Sequence, residues 1–412
     1  MAISLAVPAH RRPLYTLYTA NAISLAGNNL STIAIPWFVL ATTGSAAKTG
    51  LSGAFAILPV VIASVLGGAV VDRLGYRRSS IISDIASGIS VGSIAVLHMA
   101  DLLSYPLLLA LIFLGAFLDT PGGTARAALL PDLAREARIS IEAVSATTQI
   151  VERGSRLVSA PLAGVLIAAF GPVTALWVNM ASFAISSALV AVGIPAVATH
   201  EEERPDEGYF ASLRAGFAFV RNDALIKAVL ATVAITNGLD MARSMVGLPY
   251  LAKEVYDSSI ALGLMFAASG GGSVLGALLY ARYGVRYRKR PVFIWSFVMV
   301  GVPTLVYALL PPLWMVVAGQ FLMGFAAGPL NPILMTVEFA RIPPAMRARV
   351  FGAITAGAFL AMPVGVLLGG VLIEGIGLRW SFLLIGLVYV VTTLTLAINP
   401  AIHEMDEVRR ET

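Results

Sequence analysis

Twelve stretches of this sequence are apolar for about twenty residues at a time, the length a helix needs to cross the hydrocarbon core of a bilayer. They lie near residues 14–40, 48–71, 79–100, 104–130, 142–169, 173–197, 225–248, 259–281, 291–311, 313–337, 350–373 and 379–398. In lipid every backbone polar group must be satisfied within the protein, and a helix does this inside one segment. The expected fold is an all-α membrane protein of twelve transmembrane helices. Composition agrees, since 12% of the residues are charged, against about 25% in soluble domains.

The spans consume most of the 412 residues and leave no room on this chain for a nucleotide-hydrolysing domain. No Walker-type GxxxxGK run followed by Ser or Thr occurs, so an ion gradient, a partner or the substrate's own gradient has to supply the energy. The first stretch follows His10, Arg11 and Arg12, is too long for a signal-peptide core, and is expected to stay as the first helix. With no cysteine, and with histidines only at 10, 98, 200 and 403, the chain offers neither thiolate ligands nor an HExxH pair. Neither an enzyme nor a cofactor is expected.

Basic residues gather on alternate loops: Arg73, Arg77 and Arg78; Arg135 and Arg138; Arg282 to Arg290; and Arg341, Arg347 and Arg349. The opposite loops carry little beyond Lys48, Lys253 and Arg379. The positive-inside rule then puts the basic loops and both termini in the cytoplasm. The formal net charge of +5 is accounted for by this topology and calls for no nucleic-acid partner. One extended polar stretch, 200–208, precedes a segment in which Phe210, Leu213, Phe217 and Val220 recur at helical spacing, as in a helix lying on the interface. The organisation expected is a six-helix bundle over 1–198, a cytoplasmic linker with its amphipathic helix over 199–224, a second six-helix bundle over 225–400 and a tail over 401–412.

The halves resemble each other in text. Gly164-Val-Leu-Ile-Ala-Ala-Phe-Gly171 returns as Gly370-Val-Leu-Ile-Glu-Gly-Ile-Gly377, and Arg73-Leu-Gly75 returns as Arg282-Tyr-Gly284. Duplicated units of this kind build many secondary transporters, with the substrate site near mid-membrane between them.

After the second span comes Gly68-Ala-Val-Val-Asp72-Arg73-Leu-Gly75-Tyr76-Arg77-Arg78. Here the chain resembles the major facilitator superfamily, whose loop motif GxxxDRxGRR it matches except at Tyr76. The resemblance implies two pseudo-symmetric bundles and a conformational switch made by Gly68, Asp72, Arg73, Gly75, Arg77 and Arg78. In that switch Asp72 accepts hydrogen bonds from the amides at the start of span eleven, where the helix dipole favours an anion. Asp132 ends span four on the same side, either as a partner of Arg73, Arg77 or Arg78 or as a solvated end charge. The segments Phe117 to Arg126, Leu213 to Asp223 and Arg347 to Gly352 resemble the exporter branch that includes Tap-like multidrug pumps and the enterobactin exporter. That likeness covers nearly the whole chain and implies a bacterial cytoplasmic membrane. In span five, Ala160-Pro161-Leu-Ala-Gly164 resembles the core of the drug/proton antiporter motif, but Arg156 and Ala160 stand where glycines are usual.

Ionisable side chains at mid-membrane are costly and tend to face a cavity or a partner. Asp119, Glu152 and Asp240 are therefore candidates for proton coupling. The competing assignment makes Glu152 with Arg156, and Asp240 with Arg243, permanent ion pairs that only join helices. Members of the branch often carry an acid at the place of Asn28, and an amide cannot titrate, so the task falls to Asp119 or Glu152 if it exists. Asn28, Asn29, Trp37, Arg126, Gln149, Arg156, Asn237 and Asn331 are candidates for lining a substrate cavity. Asn179 and Gln320 are further intramembrane amides that serve as ligand contacts or interhelical bonds, while Glu338 is expected to meet Arg341 or the loop arginines.

The expected function is secondary active transport, a proton-coupled efflux of amphipathic drug-like molecules by alternating access. Small molecules, protons and the lipid bilayer are the partners of a monomer. The alternatives are a carrier of one metabolite or siderophore, and a non-transporting membrane scaffold or sensor.

Overall fold

The computed structural model describes residues 9–195, 209–343 and 346–409. Within them the side chains at 9, 64–70, 72, 209–213, 285, 348 and 407–409 lie outside the description. The chain divides into two compact units, Met1–Phe38 with Phe55–Glu202 and Val39–Ala54 with Glu203–Thr412. Two helices, α1 (Arg12–Thr43) and α2 (Ala46–Leu74), therefore contribute to both units.

The first unit is completed by α3 (Tyr76–Met99), α4 (Tyr105–Ala137), α5 (Ile141–Phe170) and α6 (Pro172–Gly193). Its organising element is α3, which buries a stripe of small polar residues, Ser79, Ser80, Ser83, Ser87 and Ser90. Lipid offers no hydrophobic drive for helix association, so small residues that let backbones approach and hydroxyls that bond across helices do the joining. Ser87 Oγ donates to Gly115 O at 3.1 Å and Ser90 Oγ to Leu111 O at 2.8 Å, both on α4. On the other side, a Cβ added at Gly88 would meet Phe183 of α6 at 3.3 Å.

The second unit runs α7 (Tyr209–Asn222), α8 (Ala224–Met241), a π-helical turn (Ala242–Gly247), α9 (Leu248–Glu254) and α10 (Ser259–Tyr283). It continues with α11 (Lys289–Tyr307), α12 (Leu313–Ala327), α13 (Leu330–Arg341) and α14 (Arg347–Ile398), and ends on a 3-10 tail, Pro400–Arg409. α10 and α12 touch backbone to backbone, since a Cβ at Gly276 would collide with Phe325 O and one at Gly324 with Ser269 O. The amphipathic α7 buries Val220 in a cluster with Ile226, Ile342, Val350 and Ala353. Phe210 and Leu213 lie outside the described side chains, as does the polar stretch 200–208.

Ten helices among the described residues are long and apolar enough to cross a membrane. One of them, α14, is two spans joined at Gly377, where φ 82 and ψ 164 break the helix. α5 falls outside the ten because Glu152, Arg153 and Arg156 lower its apolar character. Together these give the twelve spanning helices.

The textual repeat has a conformational counterpart. Gly171 caps α5 at φ 81 and ψ 165, within a degree of Gly377 in each angle. A side chain at this positive φ would be strained, which accounts for glycine at the end of both copies. The shorter match behaves otherwise: Gly75 sits at φ 79 before α3, but Gly284 has φ −62 after α10.

The second unit also holds the start of α2. Glu374, three residues before the Gly377 break, accepts the backbone N–H of Ala47 at 3.0 Å and the Ser45 hydroxyl at 3.0 Å. Below this cap, a Cβ at Gly50 would stand 2.9 Å from Gly370 Cα.

Candidate functional site

In the first unit α1, α2, α4 and α5 enclose a cavity of about 380 Å³. α1 presents Leu17, Asn21 and Asn28, and α4 presents Asp119, Gly123, Arg126 and Leu130, spacings that keep each set on one helical face. Thr148 and Glu152 come from α5 and Val60 from α2. Space is left partly by Gly123, whose added Cβ would meet nothing within 4 Å.

Arg126 is 5% exposed and anchors the deep side. Its Nη1 lies 2.8 Å from Asp84 Oδ1, its Nε donates to Asn21 Oδ1 at 3.2 Å, and Ser24 and Ser80 hydroxyls lie at 3.5 Å. Asp84, 0% exposed, takes the Ser186 hydroxyl on its other oxygen at 2.7 Å. One buried ion pair thus ties α1, α3, α4 and α6 together. Isolated buried charges are costly and persist when paired and hydrogen-bonded. Asp84 was not singled out in the sequence; the signal for it is the serine stripe on the same face of α3.

Asp119, half-buried, stands apart from this pair. Its Oδ2 accepts the Asn28 amide N–H at 2.8 Å, and its Oδ1 is buried without a hydrogen-bond partner among the described residues. Since Asp84 occupies Arg126, Asp119 and Glu152 leave the cavity with an excess of carboxylate. Such a site suits a proton or the cationic end of an amphipathic molecule.

The other candidates are distributed as follows. Asn29 has a buried, unpartnered Nδ2. Trp37 is buried, and Gln149 and Arg156 are exposed; none of the three lines the cavity. Among the described residues Glu152 and Arg156 form no ion pair: Glu152 lines the cavity while Arg156 is exposed. Asn179 donates to Ser31 Oγ at 2.7 Å.

In the second unit Asn237 donates to Ala358 O at 3.0 Å, and Asn331 is exposed. Asp240 and Arg243 are ion-paired at 3.0 Å. Arg243 lies in the π-turn, a feature frequent at functional sites, and reaches Gln320 Oε1 at 3.2 Å.

Of the switch residues, Gly68 and Asp72 fall where side-chain surroundings lie outside the description. Arg73 and Arg78 are exposed, and Arg77 donates to Ala191 O. Asp132, left open between a partner of Arg73, Arg77 or Arg78 and a solvated end charge, pairs at 3.3 Å with the exposed Arg135 one turn away on its own helix.

Comparison with known proteins fits this architecture. The profile described as Major Facilitator Superfamily matches residues 17–242 and 230–404. The chain belongs to the major facilitator superfamily. Among its relatives, this major facilitator is 30% identical over 400 residues to "Multidrug efflux pump Tap" of Mycolicibacterium fortuitum, covering 96% of this chain and 98% of that one. It is 28% identical over 407 residues to the protein of the same name from Mycobacterium tuberculosis (strain ATCC 25618 / H37Rv), covering 97% and 96%. Among solved structures, the nucleoside transporter NupG superposes with a TM-score of 0.76 at 15% identity over 93% of this chain and 98% of that one. A D-xylose-proton symporter does so with 0.69 at 14% identity over 94% and 97%.

Proposed function

We propose that this major facilitator is a secondary transporter that exports amphipathic, drug-like molecules by alternating access in exchange for protons. The observation that carries the proposal is the cavity of about 380 Å³ in which Asp119 keeps one carboxylate oxygen unpartnered beside Glu152. A carboxylate that holds either a proton or a cationic group, but not both, couples the two flows, because each ligand lowers the affinity for the other by the same factor. Export and a drug-like substrate are supported by the full-length similarity to proteins named multidrug efflux pumps. A bacterial cytoplasmic membrane with both termini inside is supported by those relatives and by the arginine-rich loops.

The test is substrate-induced proton movement in proteoliposomes loaded with a pH-sensitive dye, using lipophilic cations and common antibiotics. Wild-type protein is expected to exchange protons for substrate, and Asp119→Asn to move no protons and to bind lipophilic cations more weakly. A wild type that carries substrate with no proton signal would sink the antiport proposal. A folded protein that carries none of the compounds would sink the drug-efflux one.

A further inference from the structure

On either side of the Gly377 break α14 runs as two arms, and together with α8 they line a crevice of about 280 Å³ in the second unit. The first arm packs on α8 backbone to backbone: a Cβ at Gly365 would collide with Gly238 O, and one at Gly369 would stand 2.7 Å from Ala242 Cβ. Leu384 and Val388 of the second arm supply the facing wall. Every lining residue is aliphatic or glycine, and Val364, Leu368 and Leu384 are exposed, so the crevice opens outward. Nothing in it can hold water, and apolar cavities stay dry; its volume is nearly twice the roughly 150 Å³ that takes up a benzene ring. In a bilayer the filling is hydrocarbon, which restores the contacts an empty gap would forfeit.

The second arm leads from this crevice to a cation. Trp380, Leu384 and Val388 recur every four residues and share one helical face, and Trp380 is 64% exposed. Arg379 beside it is also exposed, and among the described residues it takes part in no ion pair or hydrogen bond. The nearest acid in sequence, Glu374, is engaged at the cap of α2. Helix stability does not account for Arg379, since the first turn of an arm is the positive end of its dipole. Topology does not either, because Arg379 stands on a loop opposite to the arginine-rich ones. An anionic partner accounts for it, and a tryptophan at a span's end marks the headgroup level where that partner lies.

We propose that this crevice is a binding site for an anionic phospholipid, with one acyl chain between α8 and the arms of α14 and the phosphate on Arg379. A guanidinium meets phosphate oxygens with two parallel N–H groups. A zwitterionic headgroup brings its own ammonium to the same place, so a net negative one is preferred. A lipophilic cation would set like charge against Arg379, which separates this site from the carboxylate cavity of the first unit. The lipid site stands whether or not export is coupled to protons.

The experiment is native mass spectrometry of the intact protein in detergent, titrated with dioleoyl phosphatidylglycerol or dioleoyl phosphatidylcholine. Wild type is expected to bind its first phosphatidylglycerol at about five-fold lower concentration than its first phosphatidylcholine, the ratio that one interfacial arginine supplies. Arg379→Gln should remove that preference, and Arg286→Gln, on an arginine-rich loop, should leave it. Val364→Trp, which covers the mouth of the crevice, should weaken the binding of both lipids. Equal affinity for the two lipids in wild type, or a preference that survives Arg379→Gln, overturns the proposal. Displacement of the bound phosphatidylglycerol by a lipophilic cation would make the crevice a substrate site and overturn it as well. None of these readouts involves proton movement, so the antiport proposal stands or falls separately.

Discussion

Glu374 closes the N-terminus of α2 from the far end of the sequence, its Oε2 standing 3.0 Å from the backbone nitrogen of Ala47. The exposed amides and positive dipole end of a helix make a carboxylate a favourable cap. Losing a cap costs about 1 kcal/mol. Glu374→Ala should therefore lower the thermal midpoint modestly and loosen the first turn of α2, with Glu374→Gln in between. Ala46 is 1% exposed, and the chain has no native cysteine, so an Ala46→Cys reporter reads the loosening directly. Maleimide labelling should speed up several-fold in Glu374→Ala, and an unchanged rate would remove the cap from consideration.

For the buried pair the prediction is non-additivity. Arg126→Met strands Asp84 without a counter-charge, and Asp84→Leu strands Arg126; breaking such a pair from one side costs about 3–5 kcal/mol. The double variant replaces both charges with apolar groups and should be more stable than either single variant, by thermal unfolding in detergent. Two single losses that simply add would show the residues to be uncoupled.

Gly123 separates binding from folding. Its Cβ position opens on unfilled space, and alanine is favoured over glycine inside a helix by about 0.5–1 kcal/mol. Gly123→Ala should be neutral or slightly stabilising. Gly123→Leu should fold as well as wild type while raising the KM for bulky substrates, because its side chain projects into the cavity. An unchanged KM in a leucine variant would place the substrate elsewhere.

At the tail, the apolar anchors should outweigh the ion pairs. Ile402 and Met405 are both 0% exposed, and truncating a buried methionine to alanine costs about 2 kcal/mol or more. The Arg341 bridges to Asp223 and Glu404 are partly exposed, where such pairs contribute about 0.2–1 kcal/mol each. Met405→Ala should then speed proteolytic clipping of the tail more than Arg341→Ala does.

The twelve helices were legible in the sequence because span length and apolar runs are local properties, and the relation between Gly171 and Gly377 was legible because the eight-residue texts that they end agree at five positions. Pairings were legible only where both partners share a helical turn, as with Asp240 and Arg243. Asp84 and Arg126 lie 42 residues apart, and only the packing of α3 on α4 brings them together. The same limit misled the expectation for Glu338. Arg341 is its neighbour in sequence, but partners 118 and 63 residues away claim that guanidinium. Asp119 was marked as a mid-membrane candidate for proton coupling, yet its bond to Asn28 on another helix was beyond what spacing conveys.

Two of the boundaries between the units fall inside helices, after Phe38 in α1 and before Phe55 in α2. No loop lies at either crossing to act as a free joint. Pro36 and Pro59 stand close by, where a missing amide hydrogen bond softens a helix against bending. Each rod is thereby softest close to the residue at which it passes from one unit to the other, so α1 and α2 behave as a pair of leaf springs whose stiffness is set by two prolines.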